Sequence, residues 1–234
     1  MTASGRFGSL PRSAFIFAAL LGWHAIESIK VAPDFLAYFN ELAGGPANGY
    51  RHLVDSSLDW GQDLPKLKEW LVREGLQGAQ HAPVYLSYFG NARPSYYGID
   101  AILLPGFPDL TAGRRPPRLT GGVYCISATT LNAVYLQDAM GAWTPEYEKR
   151  YQDVLYNLRG FDATADDPAA RAALIKQTGE EFWVKLFGLY ERMRFARLAA
   201  YLRERAPDAN VGYSILIYRL TDEQVARAIG GPPP

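Results

Sequence analysis

The run VGYSILIYRL, Val211–Leu220, restricts this chain more than any other segment. It is β-branched and aromatic almost throughout, the composition of a strand. Before it lies a long helix-patterned stretch, EEFWVKLFGLYERMRFARLAAYLRERA, which must stop near Pro207. After it comes TDEQVARAIG, whose Thr221 and Gln224 make a capping box. A helix, a strand and a helix in succession can bury their apolar sides only by stacking in layers. Two further runs read as strands. In APVYLSYFG, Val84, Leu86 and Tyr88 alternate with Tyr85, Ser87 and Phe89, and GVYCIS follows later. The expected fold is therefore α/β, or α+β, with a small mixed sheet flanked by helices.

Helix starts are written clearly in two places. Thr144 precedes Pro145, and Asp167 precedes Pro168, each a capping residue before a proline at the first helical position. Leu64, Leu67 and Leu71 recur at helical spacing up to Gly75, and ATTLNAVYLQDAM is expected to carry GVYCIS on into a helix. The arginines of YERMRFARLAAYLRER alternate with apolar positions and read as the solvated face of a half-buried helix. LLPGFPDLTAGRRPPRL, Leu103–Leu119, is a long loop of a kind that usually has a use. The closing GGPPP, residues 230–234, reads as a frayed tail.

Composition narrows the function. The 24 basic and 24 acidic side chains cancel, so no electrostatic footprint for nucleic acid exists. The lone Cys125 excludes a disulfide framework and a cysteine-based zinc site; in its apolar run it reads as a buried, inert thiol. His24, His52 and His81 are scattered, and no H-E-x-x-H occurs, so no metal is expected. GYSIL lacks the second glycine of a nucleophile elbow. GGPANG fits neither a phosphate loop nor a dinucleotide fingerprint, and no cofactor is expected.

The N-terminal segment carries Arg6 and Arg12 and then SAFIFAALLGWHAI, Ser13–Ile26. These 14 residues fall short of the ~20 that span a bilayer comfortably. Residues 1–30 read first as an uncleaved membrane helix or anchor, ahead of a signal peptide or a buried helix. Basic residues before the apolar run place the N-terminus in the cytoplasm and residues 31–229 outside.

The acidic stretch DSSLDWGQDL, Asp55–Leu64, poses the functional question. Asp55, Asp59 and Asp63 lie four apart, and one helix through all three would stack like charges. A start at Asp59, with Gln62 as box partner, puts Pro65 in the second turn; a start at Asp63 puts it in the first. Two readings stay open. In one, Trp60 packs in the core and the aspartates cap, which spacing alone prefers. In the other, carboxylates beside an aromatic ring bind a sugar, acids to hydroxyls and ring to the apolar face.

The stretch YFNELAGGPANGYRHLVDSSLDWGQDLPKLKEWL resembles a segment near the C-terminus of bacterial multi-spanning glycosyltransferases. These are family-39-like enzymes, related to protein mannosyltransferases, that use polyprenyl-phosphate sugars. GVYCISATTLNAVYL and RERAPDANVGYSILIYRL are similar to the same region, so the likeness covers most of Phe35–Leu220. Ser57 stands where that family's pattern leads one to expect asparagine, and Pro65 is unusual. The resemblance implies an extracytoplasmic domain after a last membrane helix. It also implies that the family's catalytic acids, carried on an early loop, are not in this stretch. The expected role is glycan or acceptor binding, or docking on a multi-spanning catalytic partner. Asn40, Glu41, Asp55, Asp59, Trp60 and Gln62 are the expected binding residues. The alternatives are an independent glycoside hydrolase working through paired carboxylates and a non-catalytic membrane scaffold.

Overall fold

A computed structural model describes residues 11–78 and 80–234. Helices α1 (Arg12–Lys30) and α2 (Leu64–Arg73) precede strands β1 (Val84–Ser87), β2 (Ile102–Leu103) and β3 (Gly122–Ser127). Helices α3 (Ala128–Leu131), α4 (Pro145–Asp162), α5 (Pro168–Thr178) and α6 (Glu180–Arg203) follow. Strands β4 (Ala209–Val211) and β5 (Ile215–Leu220) and helix α7 (Asp222–Gly230) complete the chain. The fold is mixed α/β, as expected. Its five strands run in the order β2-β1-β3-β5-β4, with β1 parallel to β2 and β3 and with β5 antiparallel to β3 and β4.

Both sheet faces are buried, and the period of two in the sequence sorts residues between them. Val84, Leu86, Val123, Cys125, Ile215 and Ile217 pack with Leu64, Leu67, Trp70 and Leu71 of α2. Tyr85, Tyr124, Ile126, Leu216 and Tyr218 face Phe195, Leu198 and Leu202 of α6. The rings of Tyr85 and Tyr124 stack with centroids 4.4 Å apart. Cys125 is fully buried, and the loss of solvent pushes its thiol up to about 12, consistent with an inert side chain. A satellite core joins Tyr151, Val154, Leu158 and Phe161 of α4 to Trp183, Leu186 and Met193 of α6.

Thr144, Asp167 and the Thr221–Gln224 box cap α4, α5 and α7 as expected. Four expectations need correction. VGYSILIYRL is not one strand but a hairpin, because Gly212 and Tyr213 take φ of +59° and +62° and turn the chain between β4 and β5. The helix after GVYCIS stops at Leu131, since Ala133 adopts φ +54°. The tail is held at its start, where the Gly231 carbonyl accepts from Arg197 at 2.7 Å. The arginines of α6 do not form a solvated face, for Arg194 and Arg197 are buried.

Arg197 is buried because it finds a partner for each guanidinium nitrogen. Nε donates to Glu148 of α4 at 2.8 Å, and Nη1 donates to the Ala228 carbonyl at 2.6 Å. The last carbonyls of a helix have no partner within it. One guanidinium therefore ties α4 and α6 to the end of α7.

The N-terminal membrane helix is the other correction. Residues Arg12–Lys30 do form a helix, none of whose residues is buried. Among the described residues, however, no helix is long and apolar enough to cross a membrane. The apolar stretch is bounded by Arg12 and then diluted by His24, Glu27 and Lys30. Arg6, which shares the orientation argument with Arg12, lies outside the described residues.

Replacing Arg197 by methionine leaves two helix-terminal carbonyls without a donor and Glu148 without its cation, though Trp143 and Gln152 still donate to it. Urea unfolding should show Arg197→Met to be less stable by about 3–5 kcal/mol. A loss below about 1 kcal/mol would mean that this buried group does not hold the three helices.

Candidate functional site

Ligands of parallel α/β sheets sit outside the carboxyl ends of two adjacent strands whose outgoing connections diverge. Here those strands are β1 and β3. From β1 the chain leaves to β2 on one side, and from β3 it leaves through α3–α6 to β4 and β5 on the other. Each of these two strands ends in a serine, Ser87 and Ser127. The acidic turn lies directly over this point.

Five contacts seat the turn. Ser127 Oγ, at the end of β3, donates to Asp59 Oδ2. The Asp55 N–H donates to Thr129 Oγ1 at 2.9 Å. The Tyr88 hydroxyl, just past β1, donates to the Gly61 carbonyl at 2.8 Å. Ser214 Oγ, in the β4–β5 hairpin, donates to Asp63 Oδ2 at 2.7 Å. Lys66 Nζ reaches Asp63 Oδ1 at 2.9 Å and also contacts Asp34 at the exit of α1.

Glycine is required where the turn touches the sheet. Gly61 has φ +75°, and a Cβ there would come within 2.2 Å of the Tyr88 hydroxyl. At Gly212 a Cβ would fall 2.1 Å from the Asp63 carboxyl carbon. Asp55 takes φ +60°, a conformation aspartate adopts more readily than most side chains, and its carbonyl accepts from the N–H groups of Leu58 and Asp59.

The six expected residues separate by what they do. Asp59 is 1% exposed and Asp63 is fully buried; both act as pins beneath the turn. Helix α2 does begin after Asp63, with Pro65 in its first turn, but the Asp63 side chain makes no capping hydrogen bond. Gln62 is consumed inside the turn: its oxygen accepts from the Trp60 N–H at 2.8 Å, and its nitrogen donates to the Leu58 carbonyl and to Asp63. Asn40 caps the short helix Glu41–Ala43, its side chain accepting from the Ala43 N–H at 3.1 Å. Glu41 is exposed and faces Glu27 and Trp23 of α1.

Asp55 and Trp60 are presented outward. Trp60 is 63% exposed, so it does not pack in the core, and its indole Nε1 donates to the Ser56 carbonyl at 3.0 Å. Asp55 Oδ2 accepts from the Tyr135 hydroxyl at 2.7 Å. That hydrogen bond raises the Tyr135 phenol above its ordinary range and keeps it a donor. Tyr135 also belongs to a stack of three rings, 4.4 Å from Phe107 and 5.5 Å from Phe89. Phe107 and Tyr135 are exposed, while Phe89 is buried beneath them. Sequence reasoning missed Tyr135 and Phe107, since no spacing links them to a turn that precedes them by tens of residues.

Burial holds the Asp59 carboxyl up at about 6, helped by Asp63 and Asp55 and opposed by its hydrogen bonds from Ser127 and the Gly61 N–H. A carboxyl with this value could exchange protons near neutrality, but it is closed off from any ligand above it. Among the described residues, no cluster of three or more His, Cys, Asp or Glu is placed to hold a metal. Comparison with known protein families, with curated proteins and with solved structures finds no match for this chain.

Because the folded protein binds the Asp59 proton more tightly than the unfolded chain, this group stabilises the fold below pH ~4, and the contribution is lost as pH rises through about 6. Asp59→Asn removes that dependence. Relative to the parent, the variant should gain about 2 kcal/mol in denaturant unfolding between pH 4 and pH 7. Parallel pH profiles for the two proteins would contradict a buried, proton-sharing Asp59.

Proposed function

We propose that this chain is an outer domain of a lipid-carrier-dependent glycosyltransferase system, which holds a glycan acceptor rather than transferring sugar itself. The observation that carries this reading is the outward display of Trp60 and Asp55 by a turn whose Asp59, Gln62 and Asp63 side chains are already engaged in hydrogen bonds. An indole face, an aromatic pair and a carboxylate held by a phenol offer a sugar both kinds of contact it needs. The resemblance of Phe35–Leu220 to the C-terminal region of such enzymes points the same way.

Helix α1 fits the membrane side of the proposal. Eight of its large apolar side chains are exposed, among them Phe15, Phe17, Leu20 and Trp23. Burying that set is worth on the order of 10 kcal/mol. A helix apolar on all sides belongs in an apolar surround. The reading places α1 against the apolar layer together with the helices of a multi-spanning partner, not as a span crossing on its own. The domain itself is proposed to lie on the extracytoplasmic side, as the resemblance of Phe35–Leu220 implies.

The hydrolase alternative is weaker. It needs two carboxyl groups facing each other across a cleft, ~5–10 Å apart. Of the three aspartates in the turn, only Asp55 reaches the outer surface, and the other two are buried.

An array of mannosyl, galactosyl and N-acetylhexosaminyl oligosaccharides, followed by calorimetry on the best binder, tests the proposal. Trp60→Ala should weaken binding about tenfold or more at an unchanged melting temperature, and Tyr135→Phe should weaken it by a smaller factor. Absence of binding across the array, or binding indifferent to both substitutions, would refute it.

A further inference from the structure

At the opposite end of the sheet, the long loop crosses helices α4, α6 and α7 with a run of arginines. The Arg118 carbonyl accepts from the Tyr85 hydroxyl at 3.3 Å, which fixes the loop near the amino end of β1. Beneath the loop is a cavity of about 470 Å³, a size that admits a small ligand. Arg115 and Arg118 reach it from the loop, Arg159 from α4 and Arg194 from α6. Asp162 is the one acidic residue in its lining, and Leu158, Phe187 and Ile229 form an apolar wall.

Four arginines line the cavity against Asp162 alone, with Glu191 paired to Arg194 beside it, so the lining keeps an excess of positive charge. Among the described residues, Arg115, Arg118 and Arg159 make no ion pair. Arg194 is the more telling member. It is 4% exposed, lies over the Tyr190 ring, and pairs with the buried Glu191, yet its Nε has no hydrogen-bond partner. An orphaned donor on a buried cation is costly, and its pairing with Glu191 leaves Arg194 incompletely satisfied beside the cavity. Glu191 faces the neighbouring cavity, whose lining also includes Arg115, and its Oε1 is likewise unpartnered.

We propose that this cavity binds a phosphate-class anion, held by Arg115, Arg118, Arg159 and Arg194, with the uncharged part of the ligand along the Leu158–Phe187–Ile229 wall. Guanidinium forks match phosphate oxygens two at a time, which accounts for arginine at all four cationic positions. The site is independent of the acidic turn, so neither proposal falls with the other.

Calorimetric titration of the full chain with inorganic diphosphate at low ionic strength is the test. Arg118 and Arg159 are exposed, so Arg118→Ala and Arg159→Ala should leave the unfolding midpoint unchanged. Each should weaken diphosphate binding about tenfold. Arg73→Ala, on α2 across the sheet, should leave it unaltered. A second arm uses phosphatidylcholine vesicles with and without phosphatidic acid. If phosphatidic acid increases vesicle binding and both cavity substitutions remove that increase, the anion is a lipid headgroup. If only diphosphate responds to the substitutions, it is a free phosphorylated ligand. No binding in either arm, or an equal loss in Arg73→Ala, overturns the proposal.

Discussion

The buried carboxylate of Asp63 is the constraint on which the candidate site rests. Removing a carboxylate from water costs several kcal/mol unless donors replace the solvent. Here Ser214, Gln62 and Lys66 replace it, and Lys66 carries the connection on to Asp34 at the exit of α1. One side chain thus joins the end of α1, the acidic turn, the start of α2 and the β4–β5 hairpin. The backbone must yield to it, and the hairpin has glycine at 212 where any side chain would strike the carboxyl group. Asp59 repeats the device on a smaller scale through Ser127.

What was legible in the sequence follows from the range of the forces involved. Caps at Thr144, Asp167 and Thr221 depend on neighbours three residues away, and alternation in VYLSYF and GVYCIS depends on next-but-one neighbours. Both patterns are visible in one dimension. The fate of the arginines in α6 was not, because Arg197 is satisfied by Glu148, far earlier in the chain, and by the end of α7. Alternation with apolar residues looks the same whether the charge meets water or a distant carboxylate. The hairpin at Gly212 was hidden for a related reason: Tyr213 is a poor left-handed residue, and the surrounding structure overrules its preference.

The acidic turn was half legible. Its density of acids beside Trp60 marked it, but spacing offered only capping or sugar contact as roles. The structure uses a third. Two of the three aspartates support the turn from below, Gln62 closes it from within, and Asp55 and Trp60 remain to meet a partner. Supporting and presenting residues alternate within nine positions, and only the tertiary fold separates them. The two ends of the sheet differ in consequence: carboxylate and aromatic rings at the carboxyl ends of β1 and β3, arginines near their amino ends.

A double-mutant cycle on Asp63→Asn and Ser214→Ala, read by urea unfolding, tests most directly whether the turn is seated on the sheet by its buried carboxylate. The expected result is a coupling of about 1–3 kcal/mol between two residues that are neighbours only through this contact. Additivity within about 0.5 kcal/mol would contradict it and leave the seating of the turn to its other contacts, through Ser127, Thr129 and Tyr88.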